Sequence, residues 1–173
     1  MCQFLQSNWK ELIAFLIAAF SIWKYFDTKK NELAWRRTEF LFEQGYLLDS
    51  DEDIYEAVKI LEGRNNEISL SEVFDENNCD YLHKFDKLLN LLDRLAYATI
   101  YKKTISTEEI INFGWYLKKI RNEKVVANYC DKNGFKDILS LADLLIEKEQ
   151  HKKSWGQVLK NQFLKIMATV LFN

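Results

Sequence analysis

The stretch Leu12 to Trp23, LIAFLIAAFSIW, decides how the rest of the chain is read. It is uncharged and apolar except for Ser21, and Trp9, Trp23, Tyr25 and Phe26 stand at its borders in the manner of an interfacial aromatic belt. As a helix it covers only about 18 Å, at about 1.5 Å per residue, against roughly 30 Å of bilayer hydrocarbon. Extension from Phe4 through Phe26 supplies the length but takes in Lys10 and Glu11. An unpaired charge in lipid costs on the order of 3 kcal/mol, so those two side chains must snorkel, pair or face something wet. Gln3, Ser7, Lys10, Ala14, Ala18 and Ser21 recur at spacings of three and four and therefore share one small, polar stripe of a helix. Leu12, Phe15, Leu16, Ala19 and Trp23 spread elsewhere. Within the stripe, Ala14 and Ala18 form a small-xxx-small pair that lets neighbouring transmembrane helices approach closely, with the polar members lining a gap between protomers. The expectation is a membrane helix over residues 1–28 that joins copies of the chain into a homo-oligomer. A buried core helix of a soluble bundle is the other reading of so short a run.

Nothing basic precedes Lys10 and no small-x-small cleavage site follows the run, so a retained segment is expected rather than a cleaved signal peptide. Lys24, Lys29, Lys30, Arg36 and Arg37 lie downstream against Lys10 upstream, an imbalance that places the body over residues 29–173 in the cytoplasm. The cysteines agree with a reducing compartment, because Cys2, Cys79 and Cys130 are odd in number and lack paired spacing. The localisation expected is a bacterial cytoplasmic membrane, crossed once.

The body reads as all-α. Proline is absent and glycine occurs 5 times, which removes the residues that most often punctuate strands and loops. NELAWRRTEFLFEQ over residues 31–44 keeps helical spacing, with Gly45 as its stop, and the anchor helix is expected to run into it. Ser50 with Asp53 predicts a capping box for a helix to about Leu61, ended by Gly63. Ser69 with Glu72 and Ser106 with Glu109 predict two more. From Asp80 to Tyr101 the residues Tyr81, Phe85, Leu88, Leu92, Leu95 and Thr99 repeat at three and four and form a core face. The next helix, with Ile110, Phe113, Leu117 and Ile120 inward, is expected to reach Asp131 before Asn133-Gly134 closes it. Residues 135–150 follow, and a last apolar segment from Gly156, QVLKNQFLKIMATVLF, is expected to close the bundle, with packing on a partner or lying at the membrane as the alternatives.

Chemistry is thin. Lys plus Arg number 24 against 26 Asp plus Glu, so no global basic field draws the chain to nucleic acid. With His83 and His151 as its only histidines, the chain carries no spacing for a metal cluster and little acid/base capacity near neutrality. No glycine-rich phosphate loop or nucleophile motif is present, and no cofactor is expected. Arg121-Asn122 is the polar pair that stands out: on a helix between apolar stretches, a clefted guanidinium organises an anion or a neighbouring subunit. A surface arginine in the run KKIRNEK is the plainer reading.

The order of apolar anchor, AWRRTEFLFEQ, LHKFDKLLNLLDRLAYATIYKKTIS and KKIRNEKVVANY resembles small membrane-anchored bacterial proteins with a divergent HEPN domain. Within that group it is most similar to the transmembrane accessory proteins of type VI-B CRISPR loci. The resemblance implies a HEPN-like helical bundle and a role in antiviral defence, as an oligomer that opens a depolarising pore. It also implies as partners a second copy, the lipid membrane, and an RNA-guided CRISPR effector protein or its RNA products. In ribonuclease members of that superfamily an Arg, usually followed by a polar residue, precedes a His with four to six positions between them on a helix. Arg121 and Asn122 match the first part, while Val126, Ala127 and Asn128 occupy the positions of the His. A non-enzymatic protein with a degenerate motif is therefore expected. The alternatives are a membrane-tethered HEPN-type ribonuclease that borrows His83 or His151, and an anchored scaffold that docks a cytoplasmic partner through its last helix.

Overall fold

The computed structural model describes residues 9–75 and 77–151 of the chain. Every regular element among them is helical: α1 Trp9–Ser50, α2 Glu52–Leu61, α3 Cys79–Ile100, α4 Gly114–Asn122, α5 Lys124–Lys132, and a further helix, α6, covering residues 136–151. Short 3-10 turns at Glu72–Phe74 and Ile111–Phe113 lie between them. The all-α expectation holds for the described residues. Gln3, Phe4 and Ser7 at one end, and the apolar segment after Gly156 at the other, lie outside them.

Contacts divide the chain into two units, residues 1–43 and 44–173. In the first, the described residues form a single helix in which no side chain is buried. Lys10 and Glu11 before it, and Lys24 and Asp27 after it, confine the uncharged run to Leu12 through Trp23. For that reason no helix among the described residues is long and apolar enough to cross a membrane. The division at Glu43/Gln44 falls further along α1 than residue 28, the expected end of the anchor.

The second unit has a conventional helical core. Ile54, Ala57, Val58, Ile60 and Leu61 of α2 face α3, whose Phe85, Leu88, Leu89, Leu91, Leu92 and Leu95 are all buried. Ile110, Leu117, Ile120, Val126, Ile138 and Leu141 complete it. Phe74 sets its ring edge against Phe85, centroids 5.5 Å apart, and tilts against Tyr129 at 4.8 Å. Two ion pairs, Lys84 with Glu56 and Lys87 with Asp53, run from α3 to α2 along the rim of this interface.

Three local readings are corrected. Gly45 does not stop α1, which runs on to Ser50; Gln44 and Leu48, one turn apart, are both buried, and packing outweighs the roughly 1 kcal/mol helix cost of a glycine. The cap of α2 is Asp51 rather than Ser50. Its Oδ1 accepts from the amides of Asp53 at 3.0 Å and Ile54 at 3.1 Å, while the Ser50 hydroxyl donates back to the Tyr46 carbonyl at 2.7 Å. Lastly, the helix expected to reach Asp131 breaks at Glu123, whose φ of −81° and ψ of 104° are extended. Arg121 and Asn122 consequently end α4 instead of standing mid-helix.

Of the other two capping boxes, the one at Ser106 forms in full and the one at Ser69 by half, its hydroxyl donating to the Glu72 carboxylate instead of accepting from the Glu72 amide. Ser106 and Glu109 exchange amide bonds, Ser106 N to Glu109 Oε2 at 2.7 Å and Glu109 N to Ser106 Oγ at 3.3 Å. Ser69 donates its amide to Glu72 at 2.7 Å, although only a 3-10 turn follows. Gly63 and Gly134 take the left-handed φ values of 71° and 92° that end α2 and α5.

Candidate functional site

Successive residues of a helix turn by about 100°, which sorts the first part of α1 into sides. Leu12, Leu16 and Trp23 share one; Ile13, Ile17 and Phe20 the next; Phe15, Ile22 and Phe26 lie across from those. All are exposed, Phe15 by 71%, Ile17 and Phe20 by 61% each and Trp23 by 60%. The remaining sector carries Ala14, Ala18 and Ser21, with Tyr25 at its border end. Of the stripe drawn from the sequence, these three and the backbone of Lys10 are described; they fall on the sector without bulky aliphatic side chains. Ser21 Oγ donates to the carbonyl of Ile17 at 2.8 Å, so its hydroxyl is satisfied by its own helix and needs no water. Rings meet at the far border, Phe20 with Trp23 and Tyr25 with Phe26, each pair 5.7 Å apart.

A charged band follows. Glu32 accepts from Lys29 at 2.9 Å and Arg36 at 2.7 Å, and the hydrogen bond from Lys29 together with both positive charges holds its carboxyl below the ordinary range.

Arg121 lies at the lip of an open cleft of about 440 Å³ in the second unit. Its Nε donates to Asp143 Oδ1 of α6 at 2.7 Å, with the two side chains 42% and 55% exposed. That bond makes the guanidinium still harder to deprotonate. The cleft is also lined by Ala127, Asn128, Asp131, Lys136 and Ser140. Two of the positions where a ribonuclease motif places its His therefore share the cleft with Arg121, but they hold an alanine and an amide. Val126 is turned into the core. Asn122 is exposed beside the helix end, and neither His83 nor His151 lines the cleft; both are exposed, and His151 stands 3.8 Å from Glu147 on its own helix. The structure thus brings Arg121 to Asp143, a partner that sequence reading missed because it is 22 positions away on another helix.

A smaller but more enclosed groove of about 300 Å³ has Ile111, Gly114 and Leu145 among its lining. It is walled by the ion pairs of Lys118 with Glu149 and Lys148 with Glu108. Nearby burial perturbs several acids. Asp93 has a buried Oδ1 without a hydrogen-bond partner, and desolvation, aided by the charge of Asp137, raises its carboxyl above the usual range. Tyr101 donates to Asp137 Oδ1 at 3.0 Å. Burial, with the charges of Asp93 and Asp86 adding to it, pushes the Cys130 thiol up to about 12, leaving it unreactive as a nucleophile. Burial and the hydrogen bond to Asp86 likewise push Tyr129 up to about 12. Among the described residues no group of three His, Cys, Asp or Glu side chains is placed to hold a metal ion.

The chain matches no protein-family model, no curated protein and no solved structure.

Proposed function

We propose that this chain works at a membrane as a non-enzymatic homo-oligomer, with α1 entering the bilayer and the body over residues 29–173 on the cytoplasmic side. The observation that supports it is the ring of bulky apolar side chains on three sides of α1. A helix that docks on one protein partner carries an apolar stripe somewhat over 100° wide, whereas one that is apolar nearly all round belongs in a core or in lipid. No described core surrounds this one.

The uncharged run is too short to cross alone, so insertion draws on Phe4 through Phe26 and must accommodate Lys10 and Glu11, with Lys24 at the far border of the span. Assembly supplies a place for them. If copies meet through the sector of Ala14, Ala18 and Ser21, the stripe that also includes Gln3, Ser7 and Lys10 lines a gap between protomers, where polar groups stay wet. This arrangement gives a pore, and together with the resemblance noted above it supports a role as an accessory or effector of antiviral CRISPR defence. An RNA-guided effector or its RNA products would then be the partner of the body.

The ribonuclease reading asks for an imidazole in the Arg121 cleft. The cleft presents Asn128 instead, and Arg121 is engaged by Asp143, which favours a structural tie between α4 and α6.

The test is the molar mass, by size exclusion with light scattering, of protein extracted in mild detergent from salt-washed membranes. A discrete particle many times 20.6 kDa is expected. A monomer or dimer that needs no detergent would overturn the proposal, and RNA cleavage lost on Arg121→Ala would replace it with the ribonuclease.

A further inference from the structure

We infer that the helix segment just past the apolar ring selects anionic phospholipid headgroups through Lys24 and Lys30, with a smaller contribution from Arg37. The inference rests on the membrane reading above and deepens it by naming the class of lipid. Between residues 24 and 37, Lys24, Lys29, Lys30, Arg36 and Arg37 face only Asp27 and Glu32, in a chain whose formal net charge is −2. The excess is local.

The pairing within this band decides which cations are available. Glu32 takes both Lys29 and Arg36, at 2.9 and 2.7 Å, so its single carboxylate offsets half of their charge and ties both side chains to the helix surface. Lys24 and Lys30 meet no carboxylate among the described residues. Arg37 donates Nε to the carbonyl of Leu33 on its own helix at 3.3 Å, again with no carboxylate.

Position along the axis ranks them. Lys24 directly follows Trp23, at the edge of the ring, and Lys30 lies about 9 Å further on, at about 1.5 Å per residue. Both fall within about one screening length of a headgroup layer at physiological salt, about 8 Å, allowing for side-chain reach. Arg37 lies about 20 Å past Lys24, where the surface field has decayed. A cation held near an anionic surface strengthens binding about five-fold. Lys24 and Lys30 together therefore give about 30-fold, and Arg37 adds little. A nucleic-acid backbone offers the same phosphate chemistry, but the exposed aliphatic side chains of the ring beside these lysines match a lipid interface and have no counterpart on RNA.

The experiment is co-flotation of the full chain, diluted from detergent, with vesicles of phosphatidylcholine alone or of equal parts phosphatidylcholine and phosphatidylglycerol. The full chain should prefer the anionic vesicles by about 30-fold, and the preference should vanish in high salt. Lys24→Gln with Lys30→Gln should lose most of the preference, whereas Arg37→Gln should keep most of it. Lys24 and Lys30 are exposed and Arg37 is half-buried, and an unchanged thermal transition of each variant checks that the body is intact. Equal binding of the full chain to both vesicles would overturn the lipid selectivity while leaving the membrane reading in place; binding to neither would overturn both. A preference that mostly survives the double substitution would overturn the assignment to these lysines. Retention on single-stranded RNA that is lost in the double variant, without vesicle preference, would assign them to nucleic acid instead.

Discussion

Replacing Ile17 with lysine separates a lipid-facing helix from a protein-facing one. Ile17 lies midway along the uncharged run, is 61% exposed, and shares its side of α1 with Ile13 and Phe20. Because no side chain of residues 9–43 among those described is buried, the change opens no cavity and leaves no polar partner stranded. On the body its effect should stay within about 0.5 kcal/mol, as for other exposed positions. In hydrocarbon the arithmetic differs: losing an isoleucine forfeits about 0.5 kcal/mol and placing a lysine near the centre costs about 3 kcal/mol. The sum, about 3.5 kcal/mol, corresponds to a partition lowered by a factor of roughly 400. The assay is the fraction of chain retained in salt-washed membranes, with Ile17→Leu as the control and the thermal transition followed in parallel. Retention should collapse for Ile17→Lys alone, with an unchanged transition. Wild-type retention would refute the lipid-facing placement, and a transition lowered by several degrees would show that Ile17 lies against protein.

Ala14→Leu with Ala18→Leu should leave membrane retention intact but lower the particle mass in mild detergent, since bulk on that sector blocks close helix approach; an unchanged mass would remove these alanines from the interface. Asp51→Ala should cost about 1 kcal/mol in a denaturant titration through loss of the α2 cap, while Ser50→Ala changes little. Asp93→Asn should stabilise the body by about 1 kcal/mol at pH 7, a rise of about 2–4 °C in Tm, by removing an incompletely solvated, unpartnered charge. The folded-state carboxyl is raised, so wild-type stability at this site is full below the unfolded value of about 3.9 and is lost as pH rises through the higher folded value. The gain from Asp93→Asn should accordingly shrink on acidification toward pH 4, and a constant gain across that range would show that the charge is not its source.

How far the sequence could be read depended on the range of the interactions. The repeat from Phe85 through Leu88, Leu92 and Leu95 is a one-helix pattern, and all four side chains are buried as the spacing predicts. The box at Ser106-Glu109 and the Glu72 half of the one at Ser69 are contacts between residues three apart, and they too were legible. Gly45 was misread because a glycine ends a helix only where the backbone turns left-handed, and at Gly45 the burial of Gln44 and Leu48 keeps it helical. The break at Glu123 carries no glycine or proline, and the tie from Arg121 to Asp143 depends on how α4 and α6 meet, which neither segment states by itself.

The two parts of the candidate site differ in the same way. Around Arg121, function would need a particular side chain at a particular place, and the structure supplies the place, at Ala127 and Asn128, without the imidazole. Along α1 no such coincidence is needed. An apolar side chain on each of three sides is a statement about solvent rather than about a partner, so it was legible from composition and helical period alone. The fourth side breaks that symmetry with Ala14, Ala18 and Ser21. In the arrangement proposed above, lipid meets the three bulky sides and another copy meets the side of Ala14, Ala18 and Ser21, where small residues permit close helix approach.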